Sequence, residues 1–198
     1  MEHILWGPRL EEKFYLRDTE LVAQEMLGKW LVYDSSGGLT AGIIVETEAY
    51  LGKKDPSCHS AKGCTERNKV MFGPAGVFYI YFIYGVHYCL NVTTASLDRP
   101  EAVLIRALEP KVGIELMRER RHKEKVTELC SGPGKLVQAM GISKTLNGTS
   151  SFEGPLGIYD SLESLNFEIT VTARVGIKEA ANWPLRYYIK GSQYVSKK

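Results

Sequence analysis

The sequence predicts a single α+β domain spanning residues 1–198, with a mainly antiparallel, curved β-sheet, peripheral helices and one protruding β-hairpin. Three observations predict it. The chain has 198 residues, a length that supports one well-cored domain. Strand-like and helix-like stretches come in blocks, and the strand pairs are joined by short turns, which favours antiparallel neighbours over βαβ crossovers. Apolar residues make up 44% and charged residues 24% of the chain, the balance of a folded protein and not of a disordered, collagenous or coiled-coil one.

The elements follow in order. Thr19 to Gly28 has an N-cap Thr, apolar residues at helical spacing and a terminal Gly, the marks of a short amphipathic helix. Lys29 to Tyr33 and Gly42 to Tyr50 read as strands joined through the turn-rich Asp34–Gly38. Leu51 to Pro74 is polar, rich in Gly, Pro and Cys, and too long for a plain connection, so a functional loop is expected there. Val77 to Ile83, Val86 to Thr94 and Ala102 to Leu108 are strongly β-forming and are taken as the central sheet. Helices are expected over Gly113 to Arg121 and Lys135 to Met140, each with a basic end. Asn166 to Ala173 and Pro184 to Ile189 close the chain as strands.

The formal net charge of +2 neither requires nor excludes a nucleic-acid partner. Four cysteines are too few for a disulfide scaffold, and the acidic N-terminal stretch does not read as a signal peptide, so a reduced, cytoplasmic protein is expected. The near-apolar run from Val77 to Val86 is far shorter than the roughly 20 residues of a membrane span.

Strand alternation puts Glu46, Glu48 and Tyr50 on one side and Val45, Thr47 and Ala49 on the other. Such a face is either solvated or holds a general base beside an aromatic wall. Cys58, His59 and Cys64 invite a zinc reading, but they fall short of four ligands and no second ligand pair follows. Tyr79 and Tyr81 share a face of the expected hairpin, while Tyr84 sits beside Gly85 at its tip, where a ring has no core to fill. A two-residue turn would separate Tyr81 from Asn91; a three-residue loop would pair Tyr81 with Cys89 and Tyr79 with Asn91, gathering all four on one face. Arg106 lies between Leu104 and Leu108 on its expected face and needs a carboxylate, for which Glu48 and Glu109 are the candidates. Gly132-Pro-Gly-Lys135 opens a helix and could cradle a phosphate, although it lacks the spacing of a nucleotide-hydrolysing loop. Near it, Arg118, Arg120, Arg121, Lys123 and Lys125 could touch a nucleic-acid backbone or form a solvated helix end.

Taken together, Leu27-Gly-Lys-Trp-Leu-Val32, Ile44-Val-Glu-Thr-Glu-Ala-Tyr-Leu-Gly52, Asp55 to Ser60, Thr65-Glu-Arg-Asn68, Met71-Phe72, Tyr79 to Gly85, Asn91, Leu104-Ile-Arg-Ala-Leu-Glu-Pro110, Gly132-Pro-Gly-Lys-Leu136 and Arg174-Val-Gly176 resemble the alkyladenine (3-methyladenine) DNA glycosylase family over nearly the whole chain. The resemblance implies a monofunctional base-excision enzyme that removes alkylated and deaminated purines, of the 3-methyladenine, 7-methylguanine, hypoxanthine and ethenoadenine class. It implies that the damaged nucleotide is flipped from double-stranded DNA while Tyr84 fills the gap. Glu48 would activate a water for attack on the sugar C1′, Arg106 would help to hold that water and the carboxylate, and the Val175 carbonyl would be a further contact. Tyr50, His59 and Tyr81 would wall the base pocket and Asn91 would obstruct the exocyclic amine of guanine. Thr65, Met71 and Lys135 would contact the DNA backbone. No metal or other cofactor is implied, and the protein is expected to act as a monomer, in the cytoplasm or with the nucleoid of a bacterium. The chain departs from the family pattern in a His59–Thr65 loop one residue shorter than in some relatives, in a longer segment from Asn91 to Ala102, and at His87, which stands where others carry an aromatic; none touches the expected base or wedge, but together they bear on damage preference. The competing reading is a non-catalytic nucleic-acid-binding module such as the tRNA-contacting domain of the formyltransferases, which would leave Glu48 and Arg106 without a purpose; a hydrolase of free nucleosides would leave Tyr84 without one.

Overall fold

The computed structural model describes residues 5–83, 87–163 and 165–197. Strand β1 (Trp6–Arg9), the single helical turn α1 (Glu12–Tyr15) and helix α2 (Thr19–Glu25) precede a hairpin of β2 (Trp30–Ser35) and β3 (Gly38–Tyr50). A loop with two 3₁₀ turns leads to a second strand pair, β4 (Phe78–Ile83) and β5 (His87–Thr94), and then to β6 (Glu101–Val112). Helices α3 (Ile114–Arg121), α4 (Val126–Leu129) and α5 (Pro133–Met140) follow, and β7 (Leu156–Ser161), β8 (Ile169–Thr172) and β9 (Arg186–Ile189) complete the order. Every pairing is antiparallel, in the sequence β1-β7-β2-β3-β6-β5-β4. β9 lies against the second half of β3, and β8 against β9. The architecture is the α+β domain with an antiparallel sheet that the sequence predicts, and the sheet is unclosed.

Alternation along the strands sorts the side chains onto two faces. Leu31, Ile44, Ile80, Val103 and Ile105 join Val22 and Met26 of α2 and Leu136 and Met140 of α5 in the main core. Their neighbours Trp30, Val32, Ile43 and Val45 form a second cluster on the opposite face, and Tyr79, Ala102, Cys58 and Met71 a third. The helices therefore cover one face. The long loop after β3 covers part of the other, and that is where the candidate site lies.

Local chemistry explains the elements and corrects several expectations. Asp18, not Thr19, caps α2, its carboxylate accepting the N–H groups of Glu20 and Leu21; Thr19 is buried, with its hydroxyl shared with Thr94 at 2.8 Å. The Thr47 hydroxyl donates to the Ala23 carbonyl at 2.7 Å and fastens α2 to β3. At α5, Pro133 occupies the first turn and Gly141 closes the helix at φ 75°. Gly134 has no side chain to hold α5 away from β5, where a Cβ would come within 2.9 Å of the His87 Cβ. β1, β7, α1 and α4 are elements the sequence patterns do not announce.

The hairpin adopts the register of a three-residue connection: Tyr81 pairs with Cys89, and Tyr79 with Asn91. Tyr84, the expected wedge, lies outside the described residues. Between β3 and β6 the ladder pairs Ile44 with Leu108, Glu46 with Ala107 and Thr47 with Ile105, so Val45 and Arg106 are the extra residues of two successive bulges. Simple alternation fails at both. Val45 joins the face opposite the helices although Ile44 and Ala49 belong to the main core, and Leu108 joins that core instead of sharing a side with Arg106.

Candidate active site

Glu48 lies on the second half of β3, between β6 and β9, and is fully buried. An ionised carboxylate has about four lone-pair directions and must fill them when water is removed. Three are filled here. The Val175 backbone N–H donates to Oε1 at 2.7 Å, the Tyr50 hydroxyl donates to Oε2 at 2.9 Å, and Arg106 Nη1 stands 3.2 Å from the same oxygen. Burial, the largest influence, drives the Glu48 pKa up, with help from the neighbouring charge of Glu46, while Arg106, Val175 N–H and Tyr50 oppose it; the net direction is upward. Tyr50 is itself pushed well above the ordinary phenol range, by burial and then by Glu48, and so remains a donor.

The expected partner of Arg106 was Glu48 or Glu109. Glu109 instead pairs with Lys111 at 2.6 Å, and the second partner is Glu46, whose Oε1 accepts from Arg106 Nε at 2.9 Å. Arg186 Nε reaches that oxygen at 2.7 Å. Two carboxylates and two guanidinium groups thus share one buried centre, and the solvated reading of the β3 acids is overturned. Desolvation of Glu46 is outweighed by Arg106, by both donors of Ser196 and by Arg186, which hold its pKa below the usual value.

A second ion pair, absent from the sequence expectations, supports the first. Asp55 and Arg174 are both fully buried, with Arg174 Nη2 donating to Asp55 Oδ1 at 2.8 Å, and Nη1 also reaching the Ala49 carbonyl at 3.0 Å. The Arg174 guanidinium lies 4.6 Å from the centre of the Tyr50 ring. It therefore fixes Tyr50 from behind and places the next residue, Val175, with its N–H on Glu48. Val175 thus meets Glu48 directly through its backbone N–H.

Beside the carboxylate opens a cleft walled by Tyr50, His59 and Tyr81, with Tyr79, Asn91, Cys58, Met71 and Ala102 behind them. The His59 ring meets Tyr81 edge-on, centroids 4.4 Å apart, and Tyr79 tilts against Tyr81 at 5.2 Å. His59 Nδ1 and the Tyr79 hydroxyl share a hydrogen bond of 3.0 Å. Desolvation against these rings, then the Arg67 charge, push the His59 pKa down to about 4, so the imidazole is neutral near pH 7. Asn91 is buried and donates to the Tyr79 carbonyl at 3.1 Å. The loop that carries His59 is organised by Asn68, which donates to the His59 and Gly63 carbonyls at 2.7 and 3.0 Å and accepts the Thr65 N–H at 2.6 Å.

Glu48, Arg106, Tyr50, His59, Tyr81 and Asn91 are thus brought together. The residues expected on the DNA backbone are dispersed. Thr65 is exposed, and its hydroxyl is 3.0 Å from Asn68 Oδ1. Met71 lies inside, 3% exposed against Tyr79 and Ala102, with its N–H on the Asn68 carbonyl, so the side chain lines the cleft instead of facing solvent. Lys135 is exposed at the start of α5, its ammonium 3.4 Å from the Ser131 hydroxyl. The arginines of α3 do structural work: Arg120 donates to the Gly37, Ala139 and Met140 carbonyls, and Arg121 to the Leu129 carbonyl, tying α3 to its neighbours. Cys58 and Cys64 do not converge with His59. The Cys58 thiol contacts the Ser60 hydroxyl and Cys64 is exposed, and among the described residues no cluster of three or more His, Cys, Asp or Glu is placed to hold a metal. Nor, among them, is any helix long and apolar enough to cross a membrane.

Comparison with known proteins shows the family. A family model described as methylpurine-DNA glycosylase matches residues 13–193. A protein of Methanoculleus marisnigri named as a 3-methyladenine DNA glycosylase is 52% identical, covering 96% of this chain and 99% of its own length. Proteins of the same name from Carboxydothermus hydrogenoformans, 47% identical with the same coverage, and Francisella tularensis, 46% identical over 89% of this chain and 92% of the relative, are similar in the same way.

Proposed function

Because the chain belongs to the methylpurine-DNA glycosylase family, and is therefore a hydrolase of N-glycosyl bonds that acts on DNA, we propose that it excises alkylated and deaminated purines from double-stranded DNA by activating a water, without a covalent enzyme intermediate. The observation that carries this reading is the fully buried Glu48 joined through the Tyr50 hydroxyl to an aromatic cleft, with three donors on its carboxylate and a proton affinity raised by burial.

The chemistry follows from the atoms. A purine cannot reach a cleft inside the protein while stacked in a duplex, so the nucleotide must turn out of the helix. The reading gives Tyr84 the part of the wedge that fills the vacated space. A water on the free lone pair of Glu48 loses its proton to the carboxylate as its oxygen bonds to C1′, and the electron pair of the glycosidic bond leaves with the base. Arg106 Nη1 keeps the carboxylate oriented and balances its charge before the proton arrives. A purine methylated at N3 or N7 carries positive charge and is a good leaving group, and the π-faces of Tyr50, Tyr81 and His59 favour an electron-poor ring over a normal base. Neutral His59 can offer a hydrogen bond to the base edge. The reading gives Asn91, which donates to the Tyr79 carbonyl, the part of obstructing the guanine amine. No lysine nucleophile is required, so strand cleavage is not part of the reaction. We place the protein in the cytoplasm as a monomer, in keeping with its free cysteines.

The test is base release from duplex oligonucleotides carrying hypoxanthine or ethenoadenine, and from methylated DNA, in EDTA, with wild type beside Glu48→Gln. Release by wild type alone, leaving an intact abasic strand, is the expected result. Tight binding without release from any substrate overturns the reading.

A further inference from the structure

The proposed reaction uses Glu48 and Arg106 but gives no part to Glu46, a carboxylate just as deeply buried two residues earlier. Glu46 Oε1 accepts from Arg106 Nε at 2.9 Å, from Arg186 Nε at 2.7 Å and from the Ser196 hydroxyl at 2.7 Å, and its Oε2 accepts the Ser196 backbone N–H. The Ser196 hydroxyl in turn accepts from Arg106 Nη2 at 3.1 Å. Arg186 Nη2 donates to the Lys197 carbonyl and so anchors this segment on β9. Each nitrogen of the Arg106 fork therefore has its own partner: Nε has Glu46, Nη2 has Ser196, and Nη1 has Glu48. A guanidinium is planar, so fixing the Nε and Nη2 edge fixes the direction of Nη1.

We infer that Glu46 and Ser196 are positioning residues for base excision, which lock the plane of Arg106 so that its Nη1 meets Glu48 and which make the segment around Ser196 a wall of the active centre. The inference rests on the reading of Glu48 as general base. Arg106 is a bulge residue on β6, and its backbone alone would not hold this orientation. A simple buried pair would need one arginine and one carboxylate, and such pairs are often replaceable by apolar residues without loss of stability. Here a second carboxylate is kept at the cost of a second arginine, which is an arrangement for tuning Glu48. An arginine facing Glu48 alone would make it a weak base; Glu46 shares that positive charge and adds a negative one nearby. The charged groups around Glu48 are Glu46 on the same strand, Arg106 on β6, Arg186 on β9, and the mutually neutralised Asp55 and Arg174 behind Tyr50.

Single-turnover base release, measured across pH for wild type, Ser196→Ala, Glu46→Gln and Glu46→Asp alongside DNA affinity and folded fraction, tests it. Ser196→Ala should fold and bind DNA as wild type does while base release per folded molecule falls about tenfold, the equivalent of one hydrogen bond. Glu46→Gln should fall about 100-fold, as a misplaced catalytic group does, and the acid limb of its profile should move to lower pH, since a negative charge beside Glu48 is gone. Glu46→Asp should return the limb toward its wild-type position. Wild-type rates per folded molecule in Ser196→Ala overturn the inference, even if Glu46→Gln does not fold; so does a Glu46→Gln profile that is lowered only in proportion to lost folded protein, with its limb unmoved. A wild type that releases no base overturns the enzyme reading with it, whereas an active wild type with unaffected variants overturns this inference alone.

Discussion

The ionic centre and the aromatic cleft touch at Tyr50, yet they are built on opposite principles. The centre stands on β3, β6 and β9, the middle of the sheet, and each of its four charges has at least two polar partners. The cleft is assembled from the loop after β3 and from the β4–β5 hairpin, and its rings meet mainly through edges and tilted faces. A carboxylate that must stay ionised away from water tolerates no missing partner. Rings that receive a variable base need shape and polarisability more than fixed bonds. The middle of the sheet thus carries the chemistry, while a hairpin and the loop packed on it carry the recognition, and the two regions should answer differently to the same kind of damage.

The sharpest break falls on the centre. Glu48→Gln preserves the shape but removes the base, and its amide nitrogen must face either the Val175 N–H or the Tyr50 and Arg106 donors, so part of that hydrogen bonding is lost as well; it should lower single-turnover base release by about 10²–10⁴-fold while affinity for damaged duplex stays near wild type. Arg174→Met is the next largest effect and is seen in stability. It leaves Asp55 buried and unpaired, so denaturant unfolding should show a loss of about 3–5 kcal/mol. A loss under about 1 kcal/mol, typical of an exposed pair, would show that the supporting pair is not as dry as its burial indicates.

The same contrast governs what the sequence reveals. The cleft is largely legible: Tyr79, Tyr81, Cys89 and Asn91 alternate on two runs with a short break, and the only choice left open, the length of the turn, is resolved in favour of the register that gathers them. The centre is half legible. Glu46 and Glu48 share a strand face by simple periodicity, but Glu46 as a partner of Arg106 depends on two bulges that alternation cannot foresee. Ser196 lies 150 residues from Glu46 in sequence, and no local pattern marks it. Asp55 and Arg174 stand in loops, where a lone charge carries no signature until its partner is placed. The strands β1 and β7 escape for a related reason. Trp6-Gly-Pro-Arg9 contains two strand breakers and becomes a strand only because β7 offers it an edge.

At the boundary, Tyr50→Phe sharpens the division. The ring stays against Arg174 but the donor on Glu48 Oε2 is lost. A lost donor to the ionised form raises the proton affinity of Glu48, so the acid limb of base release should move to higher pH, and the plateau rate should change by no more than about tenfold. A limb that does not move would assign Tyr50 to the cleft alone.

The smallest effect belongs to His59, in the cleft, and appears as a pH dependence of stability. Its folded pKa, about 4, lies below the ordinary histidine value of about 6.5, so between those pH values the unfolded chain binds more protons than the folded one. Stability therefore rises with pH across that window, and is lost as pH falls from about 6.5 toward 4. His59 is an exposed residue, which limits the loss to a fraction of the full linkage. Urea midpoints at pH 7 and pH 5 should differ more for wild type than for His59→Gln, whose side chain does not titrate. Equal differences would mean that the ring is hydrated in the folded state, and that the cleft is looser than its edge-on contact of 4.4 Å with Tyr81 implies.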